Sequence, residues 1–242
     1  MLAPKRNKTM NTPTRILVVL PFSANDGVLA EHLCDFIHLV NKREQEGHCL
    51  LVCAGDVHDE MRAKVELAAK VAFEGVETIT AAKVVDPNKN IHINRMFKTA
   101  AQHVISTYRT PWLWLEPDCV PVKYGWLDAI ADSHYHQAKR YSGPWKKVMS
   151  ADPVIFLNRV AVYPPDTMRE LLAPLDGLGA FNIAAGPVVV PKSTKTSVIQ
   201  EVAITDESTK LLPTTVLVHS DKQGIWMSTQ REKFEQAASK KK

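Results

Sequence analysis

Short apolar runs set apart by helix-length amphipathic stretches are the feature that most narrows what this chain can fold into. Arg15-Ile16-Leu17-Val18-Val19-Leu20 is the first run, Cys49 to Ala54 the second, Val76 to Thr80 the third and Trp112 to Leu115 the fourth. Apolar runs of about four to eight residues, bounded by turn formers, mark strands buried on both faces. Between the runs, Val28, Leu29, Leu33, Phe36, Ile37 and Val40 recur near helical spacing. Residues 59–73 are rich in Ala, Lys and Glu, and Ile93, Phe97, Ala100, Ala101 and Val104 share one side of a segment from Lys89 to about Tyr108. Asn25 or Asp26 is placed to cap the first of these helices, which should run to about Glu46. This rhythm predicts an α/β fold, a mostly parallel central sheet with helices on both faces.

In such a sheet, ligands collect outside the carboxyl ends of the strands. Two turns fall there, Pro21 to Gly27 after the first strand and Glu116-Pro117-Asp118 after the fourth, and they should face one cleft. The second turn sets two carboxylates at i and i+2, with Pro117 and Pro121 forcing an extended exit. Hard cations such as Mg²⁺ and Mn²⁺ take one or two protein carboxylates and fill the remaining positions with phosphate and water. The plainer alternative is a strand end capped by acids in a solvated turn.

The 242 residues suit one large domain or two small ones. Nothing approaches the apolar length of a membrane span, and the basic start of the chain lacks an apolar stretch behind it, so a soluble cytoplasmic protein is expected. Cys34, Cys49, Cys53 and Cys119 match neither zinc nor dithiol spacing and read as buried thiols in a reducing compartment. The net charge of +4 permits a polyanionic partner without demanding one. Its excess crowds both chain ends and the segment 134–147, where basic and aromatic residues interleave around Gly143-Pro144. That segment reads either as ordinary surface or as a wall meeting an anionic or ring-bearing substrate. His134 and His136 lack a nearby acid or cysteine cluster and read as structural.

Further along, Val154 to Leu157 and Val160 to Tyr163 read as strands, and residues 176–182 as an irregular connection rich in glycine. Thr214 to Val218 forms a last strand that delivers His219-Ser220-Asp221-Lys222-Gln223-Gly224. No internal repeat and no Walker or dinucleotide fingerprint is present.

Taken together, these parts resemble the glycosyltransferase A-type (GT-A) fold over roughly residues 15–226. The resemblance rests on the Pro21 to Gly27 turn, on the Asn-containing helix start Lys89 to Phe97, on Leu115 to Pro121 followed by Gly125-Trp126-Leu127, and on His219 in a His-x-x-Lys-x-Gly setting. It departs from the family's Asp-x-Asp motif by Glu116 at the first position.

The resemblance implies a single GT-A-like domain over 15–228, with a nucleotide-binding half (15–121), an acceptor-binding half (122–228) and a smaller mixed C-terminal sheet. A disordered lead-in (1–14) and a polar basic tail (229–242) would flank it. It implies transfer of a sugar from a nucleoside-diphosphate sugar, UDP-linked by preference, with Mn²⁺ or Mg²⁺. Asp118 and His219 would ligate the cation, with Glu116 contacting ribose, metal or metal-bound water. Pro21, Phe22, Ser23, Asp26 and Asn94 would line the nucleotide, and Lys222 would contact phosphate. Asp152 and Asp176, in loops after the metal motif, are candidates for the acceptor's base.

Small soluble members resemble bacteriophage enzymes that decorate hydroxymethylated pyrimidines in double-stranded DNA. On that resemblance Lys139, Arg140, Lys146 and Lys147 would contact phosphates, with Tyr141 or Trp145 filling the space of a flipped base. Polysaccharide, lipid-linked sugar or protein acceptors, a non-catalytic nucleotide-binding protein and a nucleotidyltransferase are the alternatives. Inversion or retention and the oligomeric state stay open.

Overall fold

A computed structural model describes residues 16–42, 44–45, 47–149, 152–202, 210–222 and 224–239. The expected lead-in and the terminal lysines lie outside these residues. Strands Leu17–Phe22 (β1), His48–Ala54 (β2) and Gly75–Ala81 (β3) alternate with helices Gly27–Val40 (α1) and Asp59–Ala72 (α2), and Lys89–Thr107 (α3) leads into Trp112–Trp114 (β4). Val120–Pro121 (β5), Trp126–Tyr135 (α4), Tyr141–Gly143 (β6), Trp145–Val148 (β7), Val154–Leu157 (β8) and Val162–Tyr163 (β9) follow. The chain continues through Met168–Asp176 (α5), Phe181–Ala184 (α6), Gly186–Val189 (α7), Ser193–Lys195 (β10), Ile199–Glu201 (β11), Leu217–His219 (β12) and Ile225–Ser239 (α8).

The main sheet has the order β10-β6-β9-β4-β1-β2-β3, with β3, β2, β1 and β4 mutually parallel and β9 reversed. A smaller mixed sheet, β11-β12-β5, and the β7–β8 hairpin complete it. Every residue of β1 is buried, and its period of two divides the core. Val18, Leu20 and Phe22 join Cys49, Leu51 and Cys53 beneath α1 and α2, whereas Leu17 and Val19 join Leu50, Val52 and Ala54 beneath α3. Phe97 of α3 anchors that second layer, with the rings of Trp112, Trp114, Tyr163 and Phe181 centred 4.3 to 5.0 Å away. All four cysteines are buried and free. No helix among the described residues is long and apolar enough to cross a membrane.

Three local expectations need correction. Helix α1 stops at Val40 rather than near Glu46, and Lys42 turns the chain with φ of 57°. Asp26 does hold the N-cap position, but its carboxylate makes no cap bond and instead accepts from Ser23 N and Ser23 Oγ. The segment expected as a polar tail continues α8 to Ser239. Asp221 caps that helix by accepting from Trp226 N at 3.0 Å and Met227 N at 2.8 Å, and Phe234 packs edge-on against Phe36. The halves drawn at residue 121 share one sheet, since β6, β9 and β10 extend it beyond β4.

Candidate active site

Leu115 N donates to Val19 O at 2.9 Å, and the chain then leaves the sheet through Glu116-Pro117-Asp118, a turn closed by Cys119 N donating to Glu116 O at 3.0 Å. β5 follows at once and pairs antiparallel with β12, Val120 opposite Val218. Asp221 N donates to Asp118 O at 2.9 Å. These bonds set the end of the last strand directly onto the acid pair.

The result is a cluster of three. His219 Nε2 lies 3.0 Å from Glu116 Oε2 and 3.3 Å from Asp118 Oδ1, and one ligand atom from each residue falls within 4.8 Å of the others. Only the Glu116 contact has hydrogen-bond geometry, so Asp118 Oδ1 is a buried oxygen without a hydrogen-bond partner. Such an atom needs an explanation, and a divalent cation held by two carboxylates and an imidazole supplies one; the donor set suits Mn²⁺ or Mg²⁺. Beyond His219, the Asn158 amide meets Nδ1 at 3.4 Å, the kind of outer contact that orients a ligating imidazole. Burial alone would lower the His219 pKa, but Asp118 and Glu116 outweigh it and raise it to about 9. Burial pushes the Glu116 carboxyl up, yet His219 and Arg159 hold it below the usual range.

Two cavities open from this cluster. One of about 520 Å³ is walled by Pro21, Asn25 and Asp26 of the β1 turn, by Lys89 and Ile93 of α3, and by Trp114. Its volume is that of a small-molecule site. The other, about 260 Å³, lies toward β7, β8 and β11. Glu116, Asp118, Arg159 and Lys222 border both.

Of the residues expected at the nucleotide, Pro21, Asp26, Glu116 and Lys222 line the larger cavity, with Ser23 beside it fixing Asp26. Burial raises the Asp26 carboxyl and the Ser23 bonds only partly offset it. Phe22 is wholly in the core. Asn94 is also buried, and its amide ties α3 to the next loop by donating to Gly177 O and Gly179 O at 3.2 and 2.9 Å.

Neither candidate base lines either of these two cavities. Asp176 pairs with Lys98 at 2.5 Å, and Asp152 lies just before β8.

The basic-aromatic segment divides as well. Lys139 Nζ donates to Pro191 O at 3.1 Å, Arg140 pairs with Asp166 at 2.7 Å and Lys146 with Glu201 at 2.5 Å. Tyr141 is buried, Trp145 Nε1 donates to Ser193 Oγ at 3.0 Å, and Lys147 is exposed. Arg159, whose Nε sits 2.9 Å from Glu116 Oε1, and Asn158 were not singled out from sequence. The signal available was a polar pair interrupting two apolar runs.

No protein-family model matches the sequence, and no curated protein does. Solved structures do: the chain has the fold of GT-A glycosyltransferases. The galactosyltransferase LgtC, solved with donor and acceptor sugar analogues, is similar over 93% of this chain and 96% of its own, with a TM-score of 0.56 at 10% identity. Mouse xyloside xylosyltransferase 1 is similar over 87% and 99%, with a TM-score of 0.52 at 8% identity. The bifunctional glycosyltransferase WbbM is similar over 90% of this chain and 46% of its own, with a TM-score of 0.53 at 10% identity.

Proposed function

We propose that this protein is a metal-dependent glycosyltransferase that moves a sugar from a nucleoside-diphosphate sugar to a hydroxyl acceptor. The observation that carries this reading is the meeting of Glu116, Asp118 and His219, with Asp118 Oδ1 held by the His219 ion pair alone, where Glu116 and Asp118 line a cavity of about 520 Å³ in a fold shared with glycosyltransferases. A cation bound there supplies positive charge to the diphosphate as the anomeric bond breaks.

The chain's own groups do the rest. Lys222 brings a second positive charge to the leaving group. Arg159 and His219 hold the Glu116 carboxylate from both sides. Pro21, Asn25 and Asp26 line the larger cavity, which on this reading takes the nucleoside, and the acceptor enters from the smaller one. A UDP-linked donor and Mn²⁺ or Mg²⁺ are the forms we favour.

The direct test incubates the protein with UDP-, GDP- and TDP-sugars and Mn²⁺ and follows release of nucleoside diphosphate. Release should stop with EDTA and fall at least ~100-fold in Asp118→Asn, on the scale of losing an electrostatic stabiliser. Release indifferent to EDTA contradicts the metal role. Cation-dependent nucleotide binding without turnover or transfer identifies a non-catalytic nucleotide-binding protein instead.

A further inference from the structure

Two consecutive residues between β8 and β9 touch both sides of the acid–histidine cluster. Asn158 Nδ2 lies 3.4 Å from His219 Nδ1, and Arg159 Nε lies 2.9 Å from Glu116 Oε1. Glu116 and His219 are 103 residues apart in the chain, yet their outer contacts come from one dipeptide. How both side chains are aimed therefore depends on how firmly that backbone is held.

Three bonds hold it. Asn158 N donates to Pro144 O at 2.8 Å and Trp114 N donates to Ala161 O at 3.1 Å, main-chain bonds that do not depend on which side chains stand there. Between them Tyr163 Oη donates to Arg159 O at 2.9 Å and lies 3.4 Å from Asn158 O. The ring that carries this hydroxyl is itself fixed. Tyr163 is 2% exposed, stands opposite Trp112 in the β4–β9 ladder, stacks on the Trp112 ring at 5.0 Å and meets Phe97 edge-on at 4.9 Å. Packing accounts for the ring, which phenylalanine would supply equally well. It does not account for a buried hydroxyl, which costs free energy unless it is bonded.

We infer that Tyr163, through its hydroxyl, is a positioning residue of the cluster: it pins the Asn158–Arg159 backbone and so sets the outer contacts on both His219 and Glu116. This rests on the metal-dependent reading for its effect on a cation, since outer contacts of this kind tune metal affinity about 10- to 100-fold. The pin itself acts in the cation-free chain as well.

The test is Tyr163→Phe in the full chain, which removes the oxygen and keeps the ring. In calorimetry Mn²⁺ should bind about tenfold more weakly than to the parent, the lower end of that range because the hydroxyl acts one residue removed from the cluster. In an Arg159→Met background the same change should weaken binding only about threefold, because one of the two contacts it sets is already gone. Without cation, the imidazole NMR signals of His219, assigned by their loss in His219→Gln, should move in Tyr163→Phe at constant pH. A hydroxyl that only stabilises the fold would lower the melting temperature and leave both Mn²⁺ affinity and the His219 signals as in the parent. That result overturns the inference, and so does a loss of affinity undiminished in the Arg159→Met background. If the parent binds no Mn²⁺ but the His219 signals still move in Tyr163→Phe, the pin stands and the metal reading falls, so the two fail separately.

Discussion

One methylene separates Glu116 from the aspartate that the family motif places first, and the structure gives that length a use. The longer arm lets Oε1 meet Arg159 Nε at 2.9 Å while Oε2 meets His219 Nε2 at 3.0 Å. Glu116→Asp keeps the charge but cannot span both partners. Contacts that orient a metal ligand are worth roughly 10- to 100-fold in affinity, so Mn²⁺ binding should weaken by about tenfold in calorimetry, and an unchanged constant would show that the bridge is idle. His219 makes a second prediction. Its pKa of about 9 means that it carries a proton at neutral pH, and a cation has to displace that proton before Nε2 can ligate. Mn²⁺ affinity should therefore climb with pH, by up to about tenfold per unit, and level off near pH 9; a flat profile between pH ~6.5 and ~8.5 would exclude His219 as a ligand. Asp118, His219 and Lys222 were readable in the sequence because each closes or follows an apolar run, and a sheet gathers such ends on one edge. Arg159 was not, since its tie to Glu116 exists only once the chain between β8 and β9 folds over β4. Asp152 and Asp176 were chosen on chain position alone, and neither lines the two cavities at the cluster.

At the scale of elements, the two cavities depend on how α3 and α8 are fastened. Asn94 holds the loop before α6, whose Ala180 and Asn182 line the smaller cavity, through Gly177 O, Gly179 O and a 3.4 Å bond from Phe181 N. Asn94→Ala leaves the buried Phe181 N–H short of a partner and releases the carbonyls of the exposed Gly177 and Gly179. It should cost about 1–3 kcal/mol in urea unfolding and speed amide exchange over residues 177–183; exchange that stays unchanged there would count against the clamp. At the other end, Asp221 caps α8 twice while its own N–H bonds Asp118 O, so one residue joins the Glu116–Asp118 turn to the last helix. That helix escaped the sequence reading because its apolar residues crowd the first turn at Ile225, Trp226 and Met227, and Phe234 is the one large apolar residue after them, so no clear apolar stripe shows. It is held by the local Asp221 cap, by Trp226 and Met227 in the core and by Phe234 against Phe36, and the packing partners are set only by the tertiary fold. The apolar runs of β1 to β4, by contrast, announced themselves, since strands covered on both faces leave no room for polar residues.

At the scale of the whole molecule, the acid–histidine cluster sits where early and late parts of the chain meet: Glu116 and Asp118 follow β4, His219 ends β12, and β5–β12 pairing joins them. A ligand that bridges this junction binds the folded chain and has no equivalent in the unfolded one, so it must raise the melting temperature by mass action. At a nucleotide concentration ~100 times its dissociation constant the gain is about 2.7 kcal/mol. For a chain of this size about 1 kcal/mol moves the midpoint by roughly 2–4 °C, which sets an expected rise of about 5–10 °C. Mn²⁺ and UDP together should produce it in a thermal melt, and EDTA should cancel it. Asp118→Asn should melt near the unliganded parent and gain almost nothing from the pair, because it removes the negative charge of a carboxylate whose Oδ1 makes no hydrogen bond. A full shift in that variant, or one driven by UDP with EDTA present, would mean that the nucleotide is held by the β1 turn and Lys222 alone. The cluster of Glu116, Asp118 and His219 would then be an ion network that braces the joint between the two sheets.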